Sequence, residues 1–521
     1  MKFKKETILT AAVFLLITVL LIIIEVRPGF PDPDSFYHAK MAATLRDNGF
    51  IKIFPWFQWT SLKEVFVNPH ILYHVSLIPF VSFFDPLVGM KISAVVFGLV
   101  AFVALYLTLK AIKTPYPALF VLTSALSIGF LHRMSLPRAP SLSVALLLLG
   151  TWAIYKKKTG ILLATAFIFV WFYHGWPILL LSLGAFLVAE ILTAHLLEPK
   201  SWLRNIFDGF KKQRLNILAT FAGLAGGLIL NPYFPQNIYF SIFEIFKIGI
   251  VNYQSVIAVG TEWFPKTAGE FLESSLPIFL LFLLTVAFFI PGLLTLKNKK
   301  PNFTAIFAFL FLAGGYSVLT FKSSRYVEYA VPFLALSAGS LAVYSWSFWQ
   351  KELWPTIRNW LKDSTFKKSF SFLLILLIIG LLAFNETKSI ANSNDGFRVA
   401  DYEPAVTWIQ NNVPEKEIIF HNCWDYSLLL WYLDDQHYYL VGLDPTFMYD
   451  FNQEVYKTWW ALSMGEDPEV SKIISEFSSR TVVIDKRFKT AEKFISNLEN
   501  SGLFERVSAN EKVEVYEAID L

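Results

Sequence analysis

The chain is predicted to be a polytopic α-helical membrane protein carrying a C-terminal extracytoplasmic α/β domain. Three observations predict it. Of the 521 residues, 55% are hydrophobic, above the roughly 45–50% usual for soluble domains. Many apolar runs approach the roughly 20 residues a helix needs to cross a bilayer. From residue 386 onward these runs give way to short segments of mixed helical and strand periodicity.

Taken in order, the apolar runs lie at 8–26, 91–112, 118–131, 142–155, 161–173, 177–197, 215–230, 277–296, 303–320, 327–346 and 369–384. They amount to about 11 to 13 spans once a further pair in a polar loop is allowed. The opening MKFKKE has the charged start of a signal peptide, but the apolar run behind it is too long and no small-residue cleavage pattern follows. It reads as a retained first span with a cytoplasmic start. The run 71–84, with His74 and Pro79 inside it, is too short to span and reads as an interfacial or re-entrant helix.

Charge then orients the spans. The basic clusters at 2–5, 156–158, 200–214, 297–300 and 351–368 all fall on the cytoplasmic side under the positive-inside rule. The outer face is left with the loop 27–90, the turns 132–141, 174–176 and 321–326, the loop 231–276 and the tail. The domain division is therefore 1–385, a transmembrane domain with external loops 27–90 and 231–276, and 386–521, a soluble α/β domain. In the tail, 404–412 and 424–433 have helical periodicity, and 418–420, 438–441, 481–484 and 513–516 are rich in strand formers. The net charge of +4 is spread as short topogenic clusters, not as a nucleic-acid footprint. The lone Cys423 excludes an intrachain disulfide and any multi-cysteine metal site.

Unusual polar residues collect on the outer face. FPDPDSFYHAKMAA, at 30–43, sets Asp32 and Asp34 directly after the first span, with His38 one helical turn beyond Asp34. Such carboxylates suit Mg2+ or Mn2+, and they equally suit an acidic helix N-terminus. Glu262, in VGTEWFPKT, is either a second carboxylate for that site or an interfacial acid beside an aromatic belt. Arg325, in KSSRYVEYAVP, and Arg133 and Arg138, in HRMSLPRAPS, offer phosphate-binding forks or snorkelling anchors. Both arginines of the latter turn lie on the side that basic residues avoid. Trp424, Asp425 and Tyr426, in FHNCWDYSLLLWYL, open a predicted helix and form either a recognition pocket or a capped helix with a core Trp. No P-loop, G-x-G-x-x-G, H-E-x-x-H or G-x-S-x-G occurs, so nucleotide hydrolysis, dinucleotide use and zinc proteolysis lose their usual support.

Together these pieces resemble the catalytic subunits of oligosaccharyltransferases, within the GT-C superfamily of membrane glycosyltransferases. Asp34-Ser35-Phe36-Tyr37-His38 resembles the first-loop Asp motif, Thr261-Glu262 the external-loop Glu, and Arg325-Tyr326 with Ala330-Val331-Pro332 the Arg-aromatic…Pro segment. Cys423-Trp424-Asp425-Tyr426-Ser427 is similar to the tail motif Trp-Trp-Asp-Tyr-Gly. The resemblance implies a GT-C-like fold and transfer of a sugar or oligosaccharide from a polyprenyl phosphate or pyrophosphate donor to an extracytoplasmic acceptor, protein Asn or glycan or lipid. It implies Asp34, Glu262 and Asp32 as catalytic residues, with Asp34 and Glu262 holding Mg2+ or Mn2+. Arg325, Arg138 and Arg133 would bind the donor phosphate, and Trp424, Asp425 and Tyr426 the acceptor. The partners are then the lipid-linked donor, the acceptor and the bilayer, with no nucleic acid. Two departures stand out. The turn 132–141, where the family has a second acidic motif, contains no acid, and Cys423 and Ser427 replace the ends of the tail motif. The competing readings are a lipid-linked glycan transporter or flippase, which needs polar groups near the membrane midplane, and a non-catalytic glycan-binding relative.

Overall fold

The computed structural model describes residues 2–197, 201–295, 301–362, 364–393 and 395–519. The predicted basic cluster 297–300, and Lys200 of another, lie outside the described residues. The chain forms two compact units, Met1–Val26 with Lys91–Leu230 and Glu262–Ala391, and Arg27–Met90 with Asn231–Thr261 and Asn392–Leu521. Loops 27–90 and 231–261, which the sequence division attaches to the membrane domain, thus share a unit with the tail.

The first unit is helical. Among the described residues, seven helices of the chain are long and apolar enough to cross a membrane, or eight if the pair Pro117–Ala125 and Ile128–Ser135, bent by 84°, is one span. The sequence led us to expect about eleven. Every expected run is helical over most of its described residues, and the difference has physical causes. The run 118–131 is broken at Ser127, whose φ of −101° and ψ of 102° are extended. The runs 142–155 and 161–173 fold as Pro140–Lys156 and Thr159–Phe172, of 17 and 14 residues, short for an upright crossing. The run 215–230 is the apolar half of a 28-residue helix, Trp202–Ile229. Pro at the first position of Pro140–Lys156 gives a favourable helix start because no intrahelical N–H is lost there. At the core of this unit is Val327–Phe348, in which Glu328, Phe333 and Ala335 are fully buried. The Tyr316 ring of Phe303–Thr320 stacks on Phe333 at 5.2 Å. Gly223 lets Trp202–Ile229 approach Thr159–Phe172 so closely that a Cβ there would stand 2.4 Å from the Leu163 carbonyl oxygen.

The second unit is built on a mixed sheet. Its strands are β1 (Ile418–His421), β2 (Tyr438–Tyr439), β3 (Thr481–Asp485), β4 (Phe504–Ala509) and β5 (Val513–Ala518), in the order β2-β1-β3-β5-β4. β1 runs parallel to β2 and β3, while β5 is antiparallel to β3 and β4. The segment 56–59 extends this sheet. Gln58 and Trp59 donate backbone hydrogen bonds to Tyr439 and Leu440, and Tyr439 donates to Trp56. Aromatic packing fixes the same junction: Trp431, wholly buried, lies 4.8 Å from Phe54 and 5.3 Å from Trp56. The 71–84 run folds as helix Ile71–Phe83 and packs on Asp34–Asn48. The predicted helix at 424–433 begins only at Ser427, which leaves Trp424 and Asp425 in the turn before it.

Candidate functional site

In the first unit, four separate turns bring charge together. The last turn of Ile128–Ser135 supplies Arg133, and the Pro-bounded break after it supplies Arg138. A single turn, Thr261–Trp263, carries Glu262, and the turn Ser324–Tyr326 carries Arg325 immediately before the buried Val327–Phe348. Arg133 donates to Glu262 Oε2 at 2.5 Å, and Arg138 and Arg325 reach the same carboxylate at 3.6 and 3.7 Å. Arg133 also donates through Nε to Glu328 Oε2 at 2.8 Å. Arg325 donates to the Tyr173 hydroxyl at 2.8 Å and lies 4.4 Å over the Trp263 ring. Burial alone would raise the Glu262 pKa, but Arg325, Arg138 and Arg133 hold it well below the usual carboxylate range.

Glu262, Arg133, Arg138 and Arg325, singled out separately in the sequence, are thus one cluster. The turn 132–141, which lacks the acid that the resemblance calls for, contributes two guanidinium groups instead. Sequence reasoning missed Glu328, Tyr173 and Trp263 as members. Glu328 left a readable signal: an acid at the second position of a run of Val, Ala, Phe and Leu must be paired when buried.

In the second unit, Asp34 is the first residue of Asp34–Asn48, and its N–H is accepted by Asp32 Oδ1 at 3.1 Å. This is the helix-start arrangement, and it gives Asp32 a structural task. Asp425 belongs to the same neighbourhood. Burial and then the Asp34 and Asp32 carboxylates push its pKa up to about 7. Trp424 is not an exposed platform. It is buried, and its indole N–H donates to the Ala258 carbonyl at 2.8 Å. Tyr426 is wholly buried, its hydroxyl donating to Asn422 Oδ1 at 2.7 Å and lying 2.8 Å from the Val483 carbonyl oxygen. These two side chains hold the turn in place, and Asp425 is its chemically poised member. His38 Nδ1 lies 2.8 Å from His74 Nε2, and His74 Nδ1 lies 3.0 Å from Asn68 Oδ1.

The fit to a divalent cation divides between the two groups. Both oxygens of Glu262 face guanidinium groups, which would repel a cation, so Glu262 does not fit as a metal ligand. Asp34, with Asp32 and Asp425 near it, offers hard oxygen donors and crowded negative charge, which suit Mg2+ or Mn2+. Among the described residues, no three His, Cys, Asp or Glu side chains are arranged to share one ion.

The architecture defines the class: a multi-pass membrane protein with the GT-C fold. An oligosaccharyltransferase from Archaeoglobus fulgidus, crystallised with a tethered acceptor peptide containing the NVT sequon, is similar with a TM-score of 0.55 and 14% identity, over 98% of this chain and 74% of that one. ArnT from Cupriavidus metallidurans bound to undecaprenyl phosphate gives 0.53 and 12%, over 98% of both chains. The arabinofuranosyltransferase AftD from Mycobacteria gives 0.50 and 10%, over 99% of this chain and 40% of that one. No protein-family model matches the chain and no curated protein sequence matches it.

Proposed function

We propose that the chain is a glycosyltransferase that moves a sugar or oligosaccharide from a polyprenyl phosphate or pyrophosphate to an extracytoplasmic acceptor. The observation that carries this reading is the convergence of the buried Arg133 and Arg325 and the half-buried Arg138 at the ends of apolar helices. Guanidinium forks match phosphate geometry, and a lipid-linked phosphate is an anion that reaches such a place from the bilayer. The fold supports the reading, since one similar structure holds undecaprenyl phosphate and another an acceptor peptide.

In the reaction the acceptor's nucleophilic nitrogen or oxygen bonds to the anomeric carbon as the bond between that carbon and the phosphate oxygen breaks. Negative charge accumulates on the departing phosphate, and the acceptor's proton passes to a carboxylate of the Asp32–Asp34 pair. Arg325 and Arg138, steadied by Arg133, stabilise that charge, which is worth most in a site that excludes water. Asp34 and Asp32 orient the acceptor. Asp425, able to hold a proton near neutral pH, donates or accepts a hydrogen bond at the acceptor. Mg2+ or Mn2+ held by Asp34 would supply charge neutralisation and polarise the acceptor group. With Trp424 and Tyr426 committed to holding their turn, the acceptor remains protein Asn, glycan or lipid. The C-terminal unit is assigned to the extracytoplasmic side and the N-terminus to the cytoplasm.

The test is transfer of labelled sugar from a polyprenyl donor in membranes. Arg325→Ala and Asp34→Ala should each lower turnover by about 100-fold or more, and full activity in Asp34→Ala would remove that residue from the site. A second reading, a non-catalytic relative that binds the lipid, is favoured by the acid-free turn 132–141. It predicts phosphate-dependent lipid binding with no turnover in the same membranes.

A further inference from the structure

The two carboxylates of the arginine cluster are not equivalent. Glu328 is fully buried on the long helix Val327–Phe348 and meets Arg133 through both Nε at 2.8 Å and a second nitrogen at 2.7 Å. Both nitrogens face the same oxygen, Oε2, in an ion pair closed off from solvent. The Glu262 side chain keeps 22% exposure and sits on a single three-residue turn. It bonds Arg133 at 2.5 Å and forms longer ion pairs with Arg138 and Arg325, at 3.6 and 3.7 Å. Its backbone is pinned, because the Ser323 and Ser324 hydroxyls donate to the Glu262 carbonyl at 2.8 and 3.0 Å. A rotation of the side chain alone would clear the space between the guanidinium groups.

We infer that Glu262 is a resting occupant of the phosphate seat: its carboxylate neutralises Arg138 and Arg325 until the donor's phosphate displaces it. The inference rests on the donor-phosphate reading and adds how that site is regulated. Carboxylate and phosphate present similar planar or tetrahedral oxygen faces to the same fork, and guanidinium charge in a largely buried place is costly unless an anion faces it. An internal carboxylate removes that cost in the empty protein. It also makes Glu262 a threshold for entry, since a neutral or weakly bonding headgroup cannot replace it. Glu328 does not exchange. It is a positioning residue that aims Arg133.

The experiment is equilibrium binding of a short-chain polyprenyl phosphate to the full-length protein in nanodiscs, with the matching polyprenyl alcohol as the uncharged probe. Glu262→Gln and Glu262→Ala should bind the phosphate about tenfold more tightly than the wild type, the scale of one charge-assisted hydrogen bond, and the alcohol no more tightly. Glu328→Gln should bind the phosphate more weakly. Equal or weaker phosphate binding in both Glu262 variants, with Arg325→Ala still abolishing binding in the same series, overturns the inference and leaves the donor site standing. Phosphate binding no better than alcohol binding in every variant overturns the donor reading itself. The pinned backbone of Glu262 keeps both substitutions compatible with folding, and the wild-type preference for phosphate over alcohol is read in any case.

Discussion

Asp425 contributes a pH dependence to the second unit. Its pKa of about 7 is raised above the ordinary 3.8 by burial and then by Asp34 and Asp32. Well below pH 3.8 the carboxyl is protonated whether the chain is folded or not, and it has no effect on stability. As pH rises from 4 to 7 the unfolded chain ionises while the folded one keeps its proton, so stability falls, and above 7 the full penalty applies. Asp425→Asn should therefore unfold at a higher temperature than the wild type at pH 8, by on the order of 1 kcal/mol, and at the same temperature at about pH 3. Thermal unfolding in detergent across that range measures it. A constant offset at all pH values would mean that the amide acts through packing and not through charge. At this scale the sequence was informative about residue types and poor about partners. Asp34, Asp425, Glu262 and the three arginines stand out because charge flanks apolar runs. That Trp424 would spend its indole on Ala258, 166 positions away, has no local signature.

Among the elements, the apolar helices were legible because each buries or exposes a long hydrophobic surface, whereas their ends depended on single residues. Ser127 breaks one run, and β2 stops at Tyr439 because Leu440 and Val441 turn their N–H groups toward His421 Nε2, at 3.1 and 3.4 Å. β4 escaped prediction because its sequence FERVSA is an edge strand with only Phe504 buried, and its hydrophobic alternation is too weak to read. Helix contacts are governed by glycine in the same way. Gly223 and Gly227 face Leu163 and Phe167 at a separation that leaves no room for a Cβ, while Gly226 meets only the Phe167 ring, at 3.5 Å. Small residues four apart are a common means of close helix approach in membranes. Gly223→Leu should cost about 1–3 kcal/mol through overpacking, and Gly226→Leu much less. Melting temperatures of the two purified variants test the difference, and equal losses would show that the close approach is not what holds these helices together.

For the whole molecule, the second unit constrains the path of the chain through the bilayer. Segments 27–90, 231–261 and 392–521 share one compact body, so each intervening stretch must cross the membrane an even number of times. In the stretch 91–230, length and composition alone count three crossings: Pro86–Ala111, the bent pair, and Ile178–Leu197. Three is odd, so an odd number of the remaining helices Pro140–Lys156, Thr159–Phe172 and Trp202–Ile229 must cross as well. If all three do, Lys156–Lys158 falls on the side of the other basic clusters, as the positive-inside rule requires. The buried Cys423 gives a low background for testing this with introduced thiols. Lys158 and Glu492 are both exposed. In intact cells a membrane-impermeant maleimide should label Glu492→Cys and leave Lys158→Cys unlabelled, and permeabilisation should expose the latter. Labelling of Lys158→Cys from outside would mean that Pro140–Lys156 does not cross. An odd number of crossings would then have to come from Thr159–Phe172 and Trp202–Ile229 alone, so that just one of these two spans the membrane, while the turn carrying Arg133, which precedes Pro140–Lys156, keeps its side.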